Sequence, residues 1–472
     1  MNAFNSEKPR RFPAVTLLLL IVIVGLAAGA WYLAPRFERD APKITLTPDS
    51  DVVGLAPVEI AVSDQGAGLK SLTATLSVAG TEHSLAAEQY AEPLKEKKLT
   101  LATAKIAGIK EGPAVLRVTA RDRSLWGFFK GNETVVQKNV TIDVTPPTLE
   151  LIADDRYINF GGSGAIVYKS SPDTVTSGVK IGEYFFQGTK GQVKDQPEHI
   201  FALFAHPYNV PPGTKAVLVA TDKAGNTREM PLVYELKNVN YKKSTIALTD
   251  GFLQTKVVPL VKDADARQGA VKDVFVAVNK RLRKENEDKI TAVTRNSTVP
   301  MLWNGAFTQL SNSKVEANFA DQRTYTYNNQ PVDTAYHLGY DLSVTKRYPI
   351  EAANSGRVAF TGDLGIYGNT VILDHGLGLY TLYSHMSAID VKDGETVKQK
   401  QVLGRTGETG LAGGDHLHFG VYLQGVAVLP VEWWDPKWIR DNIEPKLEGR
   451  SGEEIAQAQA PAPRKATRKR RR

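Results

Sequence analysis

Five of the chain's eight histidines fall between His337 and His418, arranged as His337-x3-Asp341, His375, His385 and His416-Leu417-His418. Imidazole and carboxylate are the usual protein ligands of zinc at a hydrolytic site, with one position left open for water. A fold that uses this set must bring distant segments to one point. The run Asp415-His416-Leu417-His418-Phe419-Gly420-Val421-Tyr422 reads as a strand. Alternate strand residues share a face, so His416 and His418 point one way while Leu417 and Phe419 enter a core. His337 and Asp341 share one face of a helix or of a strand. The intervening Gly339 and the following Leu342-Ser343-Val344 favour strand or turn. One His, one Asp and one His make three protein ligands, the open stoichiometry of a catalytic site. His375, between Asp374 and Gly376 at a strand end, is expected in a turn or supporting role rather than as a ligand.

Four blocks occur in order: His337-x3-Asp341, then Gly368-Asn369-Thr370-Val371-Ile372-Leu373-Asp374-His375-Gly376, then Leu382-Tyr383-Ser384-His385-Met386, then His416-Leu417-His418-Phe419. In these blocks the chain resembles the lysostaphin/LytM-type zinc endopeptidases of peptidoglycan. The likeness runs from roughly Trp303 to Trp438, about a third of the chain. It implies a compact, mostly antiparallel β domain with a groove over the sheet. It also implies one Zn2+ per chain, with His337, Asp341 and His418 as its ligands, and His385 and His416 as the two catalytic histidines that do not bind metal. No ligand or catalytic position is missing. One departure is Lys346-Arg347-Tyr348-Pro349-Ile350, where the family often carries a Gly-Thr-Pro-Val-like turn; Arg347 and Tyr348 then alter one groove wall. Zinc polarises a carbonyl and lowers the pKa of a bound water towards ~7. A histidine titrates near neutrality, so one of the pair can move a proton while the other bonds the developing oxyanion. Which does which stays open. No His-Glu-x-x-His helix occurs, which excludes the thermolysin-type motif.

Ala14 to Leu33 is apolar apart from one threonine, and about twenty such residues span a bilayer. Lys8, Arg10 and Arg11 precede it and are expected to stay cytoplasmic; Trp31 and Tyr32 sit where an interfacial aromatic belt belongs. The competing reading is a cleaved signal peptide with Ala28-Gly29-Ala30 as its processing site. Either way the rest of the chain is exported. There are no cysteines, so no disulfide framework, thiol nucleophile or lipid-anchor cysteine exists, and ordinary cores must stabilise the exported part.

Two stretches look like a repeat about one hundred residues apart. Asp40-Ala41-Pro42-Lys43-Ile44-Thr45-Leu46 echoes Val144-Thr145-Pro146-Pro147-Thr148-Leu149-Glu150, and Gly112 to Gly127 echoes Gly213 to Asn226. Alternating strands closing on Asp/Gly/Asn turns over that length indicate immunoglobulin-like sandwiches, which resemble bacterial Ig-like extracellular domains. Their expected role is to space the peptidase from the membrane. Trp126-Gly127-Phe128-Phe129 is expected as core, with a loop contact as the alternative. Between Asp263 and Val293, Val271, Val274, Phe275, Val278 and Leu282 fall at helical spacing opposite a charged face. That predicts a connector helix; a segment gating the groove, here or at Asn304 to Asn318, is the alternative.

From about Gly449 the chain lacks a core pattern and is expected to be disordered. Its end, Arg464 to Arg472, carries seven basic and no acidic residues; the whole chain is +7, so 7 − 7 leaves the remainder near neutral. For an exported tail, anionic lipids or envelope polymers are the expected targets. No phosphate-binding glycine loop or aromatic-basic interleaving indicates a nucleotide or nucleic acid.

The expected architecture is mainly β: 1–13 cytoplasmic, 14–33 transmembrane helix, 40–145 and 146–243 two Ig-like β-sandwiches, 244–298 a helical connector, 299–445 an antiparallel-β LytM-type peptidase domain, and 446–472 a disordered basic tail. The expected function is a single-pass inner-membrane zinc metalloendopeptidase, with the bulk of the chain outside the cytoplasm, that hydrolyses cross-links or stem peptides of peptidoglycan. The alternative is a non-catalytic protein that binds peptidoglycan or activates another hydrolase.

Overall fold

The computed structural model describes residues 14–102, 106, 108–261 and 270–459. Lys8, Arg10, Arg11 and the basic run from Arg464 lie outside them. The chain is mainly β and divides into two compact units. One runs to Pro147 and takes in Thr221–Thr227; the other comprises Thr148–Ala220 and the chain from Arg228.

The first unit opens with the helix Ala14–Leu33, whose side chains from Thr16 on are almost wholly exposed. A two-sheet sandwich follows. One sheet has the order Lys43–Thr47, Val58–Ser63, Glu96–Leu101; the other has Val52–Val53, Glu133–Ile142, Gly112–Asp122, Leu69–Val78, Thr81–Leu94. The alternation that predicts these strands is real: Ala114, Leu116, Val118 and Ala120 are buried while their neighbours are not. With Ile60, Val62, Leu72, Ala74 and Leu76 they form a core of the sandwich's own. Trp126–Phe129 is not part of it. This stretch turns through left-handed backbone at Gly127, Phe128 and Phe129, and leaves Phe128 and Phe129 exposed, so the expectation of core is corrected.

In the second unit another pair of four-stranded sheets appears, one ordered Thr189–Lys190, Ile200–Ala205, Ser163–Ser170, Leu149–Ala153. Its central strands Ile200–Ala205 and Ser163–Ser170 are buried almost throughout rather than on one face, because other layers cover them. The largest sheet follows, in the order Lys314–Ala317, Tyr340–Ser343, Leu417–Leu423, Leu379–Ser384, Asn369–Asp374, Gly356–Asp363, Thr396–Val397. On one face Val371, Leu373, Tyr383, Phe419 and Val421 share a cluster with Trp303, Phe307 and Trp433, and with Ile166 and Phe204 of the preceding sandwich. On the other, Ile372, Tyr380, Leu382 and Tyr422 pack with Leu253, Val257, Val274, Phe275, Val278 and Ile290.

Those last six belong to the connector, whose main part is one helical run of Val271–Ala277, a π-turn at Val278–Leu282 and Arg283–Arg295. Val274, Phe275 and Val278 form its buried stripe, as their spacing predicts. Asn286 fixes its direction by accepting a hydrogen bond from Ile366 N at 2.9 Å.

Polar groups close the seam between this sandwich and the largest sheet. Glu432 accepts from Asn159 Nδ2 at 2.8 Å and Ser163 N at 2.7 Å, and Trp433 Nε1 donates to Ser163 Oγ at 3.2 Å. Lys446 pairs with Asp155, both nearly inaccessible. The chain beyond Gly449 is also ordered further than its composition suggests. Ser451 and Glu454 form a capping box, in which Glu454 accepts from Ser451 N at 2.8 Å, and start the helix Gly452–Gln459. Ile455 anchors that helix in the shared core, so the expected disorder is corrected as far as Gln459.

Candidate metal centre and catalytic cleft

His337 ends the strand Gln330–His337, and Asp341 sits in the next strand, Tyr340–Ser343. The chain turns at Leu338-Gly339 between them. Gly339 is required at this turn: a Cβ there would lie 2.7 Å from His418 Nε2 and 2.5 Å from Phe419 O. Asp341 lies opposite His418 in the ladder with Leu417–Leu423. Strand alternation sends His418 to the connector face of the sheet, while Leu417 and Phe419 enter the core on the other.

Three ligand atoms converge as a result. His337 Nε2 lies 2.9 Å from Asp341 Oδ1 and 2.9 Å from His418 Nδ1, and His418 Nδ1 is 3.1 Å from Asp341 Oδ1. A tetrahedral ion with bonds of about 2.0–2.1 Å needs edges of roughly 3.3 Å, so the triangle fits within a few tenths. His337 Nδ1 donates to Asn318 O at 2.9 Å, which leaves its Nε2 bare towards the cluster. Two imidazole nitrogens and a carboxylate oxygen packed this closely need a cation, or a shared proton, among them. This trio could hold a metal ion.

Electrostatics agree with such a cluster. Burial opposes ionisation of Asp341, yet the charge of His337 and hydrogen bonds from His337, His416 and His418 hold its carboxyl well below the usual range. Burial pushes His418 down to about 4, against the pull of Asp341. A buried carboxylate at Asp341 beside an imidazole at His418 that burial keeps neutral is the protonation state that those two ligands need.

His385 and His416 stand beside the trio with ring centroids 4.8 Å apart. Each has its Nδ1 tied to a backbone carbonyl, His385 to Thr409 O and His416 to Gly414 O, at 2.8 Å in both cases. Each therefore has Nε2 left without that tie; His416 Nε2 lies 3.4 Å from Asp341 Oδ1, and the His385 ring stands 5.9 Å from that of His418. Burial, reinforced by His416 and His418, depresses His385 strongly. Burial also opposes the charge on His416, but Asp341 outweighs it and raises that residue. His385 has φ +62°, an unfavourable conformation for a non-glycine, held by His385 N donating to Tyr367 O at 2.9 Å. His375 lies elsewhere, fully buried, with Nδ1 donating to Ser355 O and Phe307 edge-on to its ring. It supports the core and touches none of the trio.

Two participants escaped the sequence analysis. Arg323 Nη2 donates to the outer oxygen of Asp341, Oδ2, at 3.0 Å. Asp321 flanks Arg323 at 3.7 Å and accepts from Ser244 Oγ at 2.6 Å. Both lie on the strand Asp321–Tyr327, where Asp321 pairs with His337. The only signal in the sequence is an alternating Asp-x-Arg pair ahead of the first motif, which gains meaning only from the register.

A cavity of about 420 Å³ opens over the cluster, lined by all five site residues. Its opposite side is built from upstream chain, including Leu248, Phe252, Phe275 and Arg283. The connector thus walls the cleft without filling it. Residues 304–318 do not line it.

Residues 335–430 match Peptidase family M23. A DD-carboxypeptidase/endopeptidase, Mpg, of Neisseria meningitidis is 38% identical over 95 residues, covering 20% of this chain and 22% of that one. The peptidoglycan DD-endopeptidase ShyA of Vibrio cholerae is 31% identical over 112 residues, 24% of this chain and 25% of its own. The chain thus spans about a fifth to a quarter of the length of these curated relatives. Among solved structures, the catalytic domain of lysostaphin from Staphylococcus simulans matches with a TM-score of 0.24 and 27% identity, over 28% of this chain and 98% of that domain.

Proposed function

We propose that this chain, which carries a Peptidase family M23 domain towards its C-terminal end, is a membrane-anchored, exported zinc endopeptidase that cuts peptide bonds of peptidoglycan. The observation that carries this reading is the convergence of His337, Asp341 and His418 beneath an accessible cleft, with His385 and His416 offering Nε2 beside them. The activities printed in the names of Mpg and ShyA support the substrate class. The apolar helix Ala14–Leu33 supports the anchor, and with it an inner-membrane location with the catalytic unit outside the cytoplasm. The two sandwiches are read as immunoglobulin-like modules of that exported part.

His337, Asp341 and His418 would hold one Zn2+, which supplies Lewis acidity towards a carbonyl and a water. Arg323 holds the carboxylate of Asp341 so that one oxygen faces the cluster. His385 and His416, each with Nδ1 anchored, can take a proton from water or return one to the departing amine at Nε2. The apolar wall of Leu248, Phe252 and Phe275 restricts water around a bound peptide.

The test is mass spectrometry of fragments released from purified peptidoglycan by the protein, with and without chelator. Chelator-sensitive fragments ending at one bond are expected. His385→Ala is expected to retain zinc and lose turnover by about 10²–10⁴-fold, the usual contribution of a proton-transfer group. Zinc retention with no release by the unaltered protein would instead leave a non-catalytic binding or activating role.

A further inference from the structure

The loop Trp126-Gly127-Phe128-Phe129 has no use in the cleft, and the first sandwich does not need it as core. Phe128 is 93% exposed, Phe129 70% and Trp126 41%. All three residues from Gly127 to Phe129 have φ between +59° and +68°, a conformation two consecutive phenylalanines adopt only at a cost. A soluble surface gains nothing from holding two large rings this way.

The loop is clamped beside the end of the N-terminal helix. Leu125 N donates to Arg36 O at 2.6 Å, and Ser124 Oγ donates to Glu38 O at 2.7 Å. From the loop's other end Asn132 Nδ2 donates to Glu38 O at 3.1 Å. The guanidinium of Arg39 stacks on Trp126 at 4.1 Å. Arg36 is three residues beyond Leu33, where the helix ends, a reach of at most about 10 Å. A helix of 20 residues spans about 30 Å, which matches a hydrocarbon core, and the headgroup layer adds roughly 5–7 Å on each side. The loop's attachment points therefore lie at headgroup level. Trp31 and Tyr32 at the helix end are exposed as well, and Arg36, Arg39 and Lys130 add cations around the aromatic residues. Aromatic rings with flanking basic groups are the composition that seats a segment at the headgroup boundary of an anionic bilayer.

We propose that Trp126–Phe129 inserts into the interface of the membrane that Ala14–Leu33 crosses. The first sandwich is thereby seated on the phospholipid surface rather than held on a free tether. This rests on the reading of Ala14–Leu33 as a retained anchor, and the experiment separates the two.

The chain has no native cysteine, so single nitroxide labels are placed on the full-length protein at Val22→Cys, Phe128→Cys and Glu82→Cys. Glu82 lies at the hairpin where Val78 pairs with Thr81, the opposite end of the sheet from the Leu69–Asp122 pair next to the loop. The proteins are reconstituted in vesicles of phosphatidylethanolamine with a minority of phosphatidylglycerol. Collision with oxygen and with a water-soluble nickel chelate is then read by power saturation. The labels at 22 and 128 are expected to lose nickel access and gain oxygen access, while the label at 82 stays open to nickel. A label at 128 as open to nickel as that at 82, with 22 buried in lipid, overturns the loop proposal and leaves the anchor standing. A label at 22 open to nickel overturns the anchor, and the loop proposal with it.

Discussion

The two sandwiches have similar sequence patterns but are built differently. In the first, strands alternate buried and exposed residues around a core of buried residues between Val53 and Ile142, with Ile44, Leu46 and Val144 packed against it. In the second, Ser163–Ser170 and Ile200–Ala205 are buried along nearly their whole length, and their cluster continues without a break through Trp303, Phe307 and Trp433 to Ile455. The first is a self-sufficient module. The second is one wall of the unit that carries the candidate site. A shared repeat therefore does not make two equal spacers: the side chains that face outward decide which module stands alone.

Truncation is the most severe test of the second sandwich's role. A chain starting at residue 299 loses the earlier members of the clusters that bury Ile439, Ile443 and Ile455 on one face, and Ile372, Leu382 and Tyr422 on the other. At about 2 kcal/mol for each side chain returned to water, six of them approach the whole stability of an ordinary domain. Such a chain is expected to show no cooperative thermal transition by calorimetry, whereas one starting at Thr148 keeps its transition. If residues 299–459 melt cooperatively near the parent temperature, the second sandwich is a spacer after all.

A smaller cut at the same seam is Lys446→Met. It leaves Asp155 buried without its cation, and breaking such a pair typically costs 3–5 kcal/mol. The denaturant midpoint of the second unit is expected to fall while that of the first stays put. An equal fall in both would mean that the two units unfold as one.

Why the seam escaped the sequence while the gathering of His337, Asp341, His416 and His418 did not is a matter of range. His337, Asp341, His416 and His418 announce themselves because strand alternation and a Gly-containing turn fix which way each points within a few residues. The helical connector is legible for the same reason, through Val274, Phe275 and Val278. Asp155 with Lys446, or Arg323 with Asp341, are ordinary charged residues whose meaning comes from packing or register across 18 to 291 positions. Trp126–Phe129 misled because aromatic residues usually mark core, and only left-handed backbone put these outside. The helix Gly452–Gln459 was hidden by its alanine-rich, polar composition; one capping box and one buried isoleucine were enough to order it.

Glu432 tests the seam through pH. Burial raises its carboxyl to about 8, with hydrogen bonds from Ser163 and Asn159 only partly opposing. Between its ordinary value of 4.5 and about 8 the folded chain holds a proton that the unfolded chain has released. This group's contribution to stability therefore declines as pH rises through that window and is flat above it. Over the whole window the term is on the order of a few kcal/mol. Glu432→Gln is expected to flatten the decline and to be the more stable protein at pH 8. An unchanged pH slope would mean that Glu432 is not the group responsible.

The mildest change belongs to Arg323, and it asks how far the candidate site depends on chain outside residues 335–430. Arg323 touches the carboxylate of Asp341 from a strand that pairs with Lys243–Ala247 on one side and Gln330–His337 on the other. Removing such a support typically weakens a metal site 10–100-fold, so Arg323→Leu is expected to lose zinc to a competing chelator at a correspondingly lower concentration. The alternative is that a buried cation beside the ligands repels a metal ion. In that case the substitution tightens binding, and Asp341 is guarded rather than aimed. Arg323→Lys separates charge from geometry. It keeps the charge but not the planar donor fork, so if aiming is the function it behaves like leucine, and if repulsion is the function it behaves like the parent. Either result says whether the strands ahead of His337 serve the metal site or merely adjoin it.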